Sequence, residues 1–217
     1  MKKVREIPSF VYDPSCVLYV PLWKRDGSTF ISDDGYGHLC TVTGATWGLQ
    51  GRIHTDDNDT IIIPDADSLD MTTNLSVLLW LKPTATGGTI FIAKRSDTSY
   101  SWEMGGDGSG NLLVRINSNT NVATQGTYSA NVFTFFGGTY DSAAGQITAY
   151  INNSSSQAAY STAITVNTVN ISLGARFYYP GAEAYTNGTY GELIIFNRTL
   201  PPTEMERVRQ ETKWRYA

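Results

Sequence analysis

The apolar residues of this chain come in short runs, each stopped within a few residues by glycine, proline, asparagine or aspartate, and that punctuation limits the fold to strands and tight turns. Leu75-Ser-Val-Leu-Leu-Trp-Leu-Lys-Pro83 puts Leu75, Val77, Leu79 and Leu81 on one face of a strand and Ser76, Leu78, Trp80 and Lys82 on the other. The Leu/Val face is the expected core face, unless Trp80 belongs to a second apolar layer. Val17-Leu-Tyr-Val-Pro-Leu-Trp23 is apolar throughout and reads as a central strand. Further strands are expected at His38–Thr43, Thr60–Pro64, Thr89–Lys94, Tyr100–Met104, Asn111–Ile116, Ile171–Gly174 and Leu193–Phe196. Gly105-Gly-Asp-Gly-Ser-Gly110 closes a hairpin, and Phe133 to Ile151 forms two strands around Tyr140-Asp-Ser-Ala-Ala-Gly145. The 20 Gly, 13 Tyr, 8 Phe and 5 Trp, with 17% charged residues, suit this reading better than a helical one.

A chain of 217 residues fits a single all-β domain. The expected organisation is an N-terminal arm over 1–16, a sandwich over 17–202, and a C-terminal helix and tail over 203–217. Gly44-Ala-Thr-Trp47 is expected as a bend, Ser68-Leu-Asp-Met71 as a helical turn, and Asn153 as a residue at positive φ. Thr203-Glu-Met-Glu206 has capping-box spacing, Thr203 capping and Glu206 reaching back, and predicts a helix to about Thr212.

The order of seven short motifs, Leu18-Tyr-Val-Pro-Leu22, Gly44-Ala-Thr-Trp47, Pro64-Asp-Ala-Asp-Ser-Leu69, Trp80-Leu-Lys-Pro83, Thr139-Tyr-Asp141, Tyr150-Ile-Asn152 and Phe196-Asn-Arg-Thr-Leu200, resembles the laminin-G-like, concanavalin-A-like jelly-roll family. The resemblance covers roughly Val17 to Val208. It implies a two-sheet antiparallel sandwich, and a function in recognising surfaces more often than in catalysis. Two departures weaken an inherited calcium site. Where relatives carry Phe-Asp-Gly-x-Asp-Asp this chain has His54-Thr-Asp-Asp-Asn-Asp59, and where they carry two aspartates before the last strand it has Gly191-Glu192.

Charge and motifs exclude several classes. A net charge of -4 gives no basic footprint for nucleic acid. No apolar run approaches the roughly 18 residues of a membrane-spanning helix, so membrane insertion is not expected. Met1-Lys-Lys-Val-Arg5 resembles the start of a leader, but Pro8, Asp13 and Pro14 interrupt the apolar stretch a leader needs, so no cleaved leader is expected. Hydrolases of this shape carry Glu-x-Asp-x-x-Glu on one strand, the spacing that aims paired carboxylates at a glycosidic bond. The string is absent, and Glu103, Glu183 and Glu192 are scattered. A Ser or Cys triad has only His38 and His54 to draw on. His38 beside Cys40 reads as a strand histidine next to a core thiol, with a Cys-His pair or metal corner as the alternative, and Cys16 and Cys40 read as unpaired core thiols unless strands bring them together to pair.

The candidate sites are therefore few. Tyr178, Tyr179, Tyr185 and Tyr190, in and after the loop Phe177-Tyr-Tyr-Pro-Gly181, form a ligand-binding set if their rings are exposed, or close the end of the core if they are not. Trp214, Arg215 and Tyr216 are the expected assembly contacts. Asp56, Asp57 and Asp59 are either a Ca2+ site or a solvated turn. The functional expectation is a non-enzymatic surface protein for assembly and recognition, a virion or phage structural subunit that also binds cell-surface glycans. Its partners would be copies of itself or other virion proteins, and its place the virion surface. A secreted lectin-like module is the runner-up, and a glycoside hydrolase the third reading.

Overall fold

The computed structural model describes residues 8–178, 181–183 and 185–216, with the backbone alone for 177, 178 and 181–183. In chain order the strands are β1 (Cys16–Pro21), β2 (Thr29–Ile31), β3 (Leu39–Thr43), β4 (Thr46–Gly48), β5 (Gly51–His54), β6 (Thr60–Ile63), β7 (Asn74–Pro83), β8 (Ile90–Arg95) and β9 (Tyr100–Gly106). They continue with β10 (Asn111–Ile116), β11 (Val122–Thr127), β12 (Thr134–Asp141), β13 (Gln146–Ile151), β14 (Ser154–Ala159), β15 (Ile171–Leu173), β16 (Arg176–Tyr178), β17 (Gly181–Glu183) and β18 (Gly188–Phe196). One helix, α1 (Pro202–Thr212), follows. Among the described residues no helix is long and apolar enough to cross a membrane.

Two antiparallel sheets of eight strands face each other. The first runs β14-β13-β12-β7-β18-β5-β4, with β1 paired to the far half of β18, and the second β11-β10-β9-β8-β15-β6-β3-β2. Leu75, Val77, Leu79 and Leu81 enter the main core between them, as their alternation predicts. Trp80 and Leu78 point the other way, into a second core on the outer face of the first sheet.

That second layer exists because the chain ends cover it. Met205, Val208 and Thr212, spaced three and four apart, form the buried face of α1. Trp80 Nε1 donates to Thr212 Oγ1 at 2.7 Å, which satisfies the indole while its ring fills the layer. From the other end, Phe10 packs edge-on against Tyr19 at 5.2 Å. Ser9 Oγ donates to Glu211 Oε1 at 2.8 Å, and Arg198 bridges Asp13 at 2.7 Å and Glu204 at 2.6 Å. The described part of the arm thus lies over the sandwich.

Several local expectations need correction. The capping box does not form: Pro201 is the cap and Pro202 the first helical residue, with no side-chain cap, so Thr203 is already inside the first turn. Glu206 pairs with Arg209 Nε at 2.7 Å instead of reaching back. Positive φ falls on Asn152, at 54°, and not on Asn153. Thr46–Gly48, expected as part of a bend, is the edge strand β4.

Candidate functional site

Of the tyrosines, Tyr178 ends β16, its backbone paired with Gly181 across the small β16–β17 hairpin. Tyr179 lies outside the described residues, and Tyr185 is half-buried. The exposure a ligand platform needs is not found at Tyr190. Its ring is wholly buried 4.4 Å from His54, and its hydroxyl donates to Thr186 O at 3.1 Å. Tyr190 therefore closes the end of the main core.

The acidic turn is held by its own backbone. Asp59 is buried and its Oδ2 accepts from the amides of Thr55 at 2.6 Å and Asp56 at 3.1 Å, while Asp56 Oδ1 accepts from Asp57 N at 2.6 Å. Among the described residues no three His, Cys, Asp or Glu side chains converge as metal ligands. Glu103, buried on β9, is held by Arg95 at 2.9 Å and by Arg115. His38 Nε2 lies 3.1 Å from Val17 O and 3.2 Å from Ser68 Oγ, so its ring is engaged away from Cys40. Cys16 lies in the second core and Cys40 in the main one, both free, and burial pushes each thiol up to about 12.

The tail is where polar chemistry and aromatic surface meet. Of the three residues expected as assembly contacts, Tyr216 turns inward, stacked on Trp80 at 4.7 Å and tilted against Phe133 at 4.7 Å. Arg215 is ion-paired to Glu192 of β18, and its guanidinium lies 4.0 Å from the Trp23 ring and 4.1 Å from the Trp214 ring. Glu192 is wholly buried and also accepts from Trp23 Nε1 at 2.8 Å and Tyr19 OH at 3.2 Å. All three partners use Oε1, and Oε2 is buried without a partner among the described residues. Burial raises the carboxyl to about 7, against the pull of Arg215 and the two hydrogen bonds.

This anchor fixes an aromatic surface at one end of the sandwich. Trp47 Nε1 donates to Trp23 O at 3.0 Å, and Gln50 Nε2 donates to Arg215 O at 2.9 Å, tying the β4–β5 hairpin to the tail. Lys24 lies 5.2 Å from the Trp23 ring centre. Trp47 keeps 40%, Trp214 38% and Leu49 86% of its surface exposed. Trp23, Trp47, Leu49 and Glu192 did not stand out in the sequence as site residues. The available signal was the presence of several tryptophans in an acidic chain with a Trp-Arg tail.

The sequence pattern described as the concanavalin A-like lectin/glucanases superfamily, in its laminin G branch, matches residues 55–206, more than half of the chain. The chain belongs to this superfamily. Its solved structural neighbours share the concanavalin A-like sandwich at low sequence identity. The receptor-binding domain of botulinum neurotoxin C/D mosaic serotype superposes with a TM-score of 0.71 at 15% identity, covering 91% of this chain and 51% of that one. The binding domain of Paraclostridial Mosquitocidal Protein 1 gives 0.69 at 14%, covering 89% and 51%. The binding domain of botulinum neurotoxin DC, solved in complex with SialylT, gives 0.70 at 16%, covering 91% and 51%. This concanavalin A-like chain spans about half the length of those it matches, and at such identities the likeness is one of fold. No curated protein is a significant match.

Proposed function

We propose that this domain is a non-catalytic recognition module that binds the sugar rings of a glycan on the aromatic end formed by Trp47, Trp214 and Leu49. The observation that carries the reading is the way Arg215 is built in. A guanidinium held between Trp23 and Trp214 and paired to a buried carboxylate fixes the indoles at little conformational cost on binding. Sugars present flat C–H faces that stack on indoles and hydroxyls that need nearby donors and acceptors. The neurotoxin binding domains solved with SialylT and with N-acetylneuraminic acid support glycan binding as a use of relatives of this fold. The non-catalytic part is supported by Glu103 and Glu192, which are buried in separate sheets, each against an arginine, and present no carboxylate pair to a surface cleft. Tyr178, Tyr179 and Tyr185 stay a second proposed ligand-binding set.

The test is a glycan array probed with the full chain and with Trp47→Ala and Leu49→Ser. Selective binding that falls at least tenfold in Trp47→Ala supports the reading. Absence of selective binding, or binding indifferent to both variants, overturns it. An assembly role, as a virion or phage subunit, is the second reading, favoured by the exposed Leu49 and Trp214 on the same surface. A stable oligomer in light scattering that Leu49→Ser dissolves would shift the weight to it.

A further inference from the structure

A second feature lies on the outer face of the first sheet. Across β12, β13 and β14 the register sets Thr139 opposite Thr148 and Thr148 opposite Gln157, with Asp141 opposite Gln146 in the next row. Side chains two apart on a strand share a face, so these polar groups and Tyr150 form one floor. The turn between β18 and α1 stands over it as a wall of Thr199, Leu200, Pro201 and Pro202, leaving a cleft of ≈ 130 Å³. Gln146 Nε2 donates to Gln157 Oε1 at 2.9 Å, which leaves Gln146 Oε1 and Gln157 Nε2 for other partners. Asp141 spends Oδ1 on the amides of Ala143 and Ala144, at 3.0 and 2.9 Å, and makes no bond through Oδ2 among the described residues.

We infer that this cleft is a subsite for one neutral pyranose ring, a terminal or branch residue of a glycan. The inference rests on the recognition reading and adds a site to it. Elimination by chemistry supports the choice. No Lys or Arg lines the cleft among the described residues, and Asp141 repels anions, so a phosphate, sulfate or sialyl carboxylate gains nothing there. One carboxylate is too few for a hard cation, which wants six to eight oxygens. An apolar ligand would strip water from the Gln146 and Gln157 amides and from Asp141 Oδ2 without replacing the bonds. A neutral sugar both donates and accepts, matching the Gln146 and Gln157 amides and Asp141 Oδ2, and the two proline rings offer an apolar wall to its C–H edges. At well under the roughly 300 Å³ of a drug-sized pocket, the cleft takes one ring and no more.

The test is an amide chemical-shift titration of the full chain with the methyl glycosides of glucose, galactose, mannose and N-acetylglucosamine. The expected result is saturable shifts at Thr139, Thr148, Gln157 and Thr199 with at least one of them. Thr148→Val and Gln157→Ala should each weaken that titration at least tenfold. Gln157 is exposed on the edge strand, so its variant keeps the fold even if Thr148→Val does not. Shifts confined to Trp47 and Leu49 overturn the cleft and leave the recognition reading standing. Shifts at the cleft, combined with an array that shows no binding dependent on Trp47, do the reverse. No saturable shift with any glycoside, or equal affinity in both variants, overturns the inference.

Discussion

The Glu192 carboxyl group accepts a hydrogen bond from the Trp23 indole at 2.8 Å inside the protein, so the turn after β1 and the last strand are joined through one buried acid. Arg215 supplies its counter-charge from the tail. Removing one partner of such a pair leaves a buried charge uncompensated, at a cost of about 3–5 kcal/mol. Above about pH 7, where Glu192 is ionised, Arg215→Ala should lose that much in urea denaturation, and adding Glu192→Gln should recover at least half of it. A double variant no more stable than Arg215→Ala would show that the pair is not coupled.

Two buried groups give opposing pH dependences. Glu192 is raised by burial to about 7, against roughly 4.3 in the unfolded chain. Between those values the unfolded chain has released a proton that the folded chain keeps, so stability falls as pH rises. His54 is lowered by burial to about 4, with Asp59 opposing, against about 6.5 when unfolded. Over that window the unfolded chain binds the extra proton, and stability rises with pH. Each group is worth about 3.5 kcal/mol at ~1.4 kcal/mol per pH unit, and the two cancel between about pH 4.5 and 6.5. Denaturation midpoints of Glu192→Gln should therefore climb with pH across this range relative to the parent, and those of His54→Phe should fall. Parallel profiles for all three proteins would refute both assignments.

Burial holds both thiols near 12, far above working pH, and the thiolate is the reactive form. Ellman's reagent should label neither Cys16 nor Cys40 in the native protein and both after unfolding. Stoichiometric labelling of the native chain would show that one core opens readily.

Gly51 and Gly137 should respond differently to alanine. At Gly51, φ is 146° and an added methyl would overlap the backbone of Tyr190 and Gly191. The same methyl at Gly137 would meet the flexible end of Met205. Gly51→Ala should cost at least about 3 kcal/mol and Gly137→Ala about 1–3 kcal/mol, the overpacking range. Equal losses by thermal unfolding would contradict this geometry.

The main sandwich was legible where one face is apolar and the other not. The two faces of β7 could be read directly, including the condition under which Trp80 would need a second layer. The polar edge strands β11 and β14 were not, because Val-Ala-Thr-Gln-Gly-Thr and Ser-Ser-Ser-Gln-Ala-Ala carry no alternation and take their conformation from their neighbours. The capping box failed because Pro202, already preset for a first helical position, started the helix one residue before Thr203. The aromatic end was hidden for another reason. Trp23, Trp47, Glu192 and Arg215 come from four separate segments, and only folding makes them neighbours.

The irregularity in β18 between Tyr190 and Glu192 explains how both can be buried in different layers. Opposite Leu81 and Trp80 the strand spends one residue too many, Gly191, and the skipped beat exchanges which side chains face inward. Tyr190 is thus read in the frame of the main core, and Glu192, Ile194 and Phe196 in the frame of the outer layer. β18 behaves like a sentence with an inserted letter, meaningful on both sides of the insertion but in different registers. Were Gly191 instead paired in register with Trp80, every later residue would slip by one, turning Glu192 toward the apolar interior and leaving the tail nothing to grip.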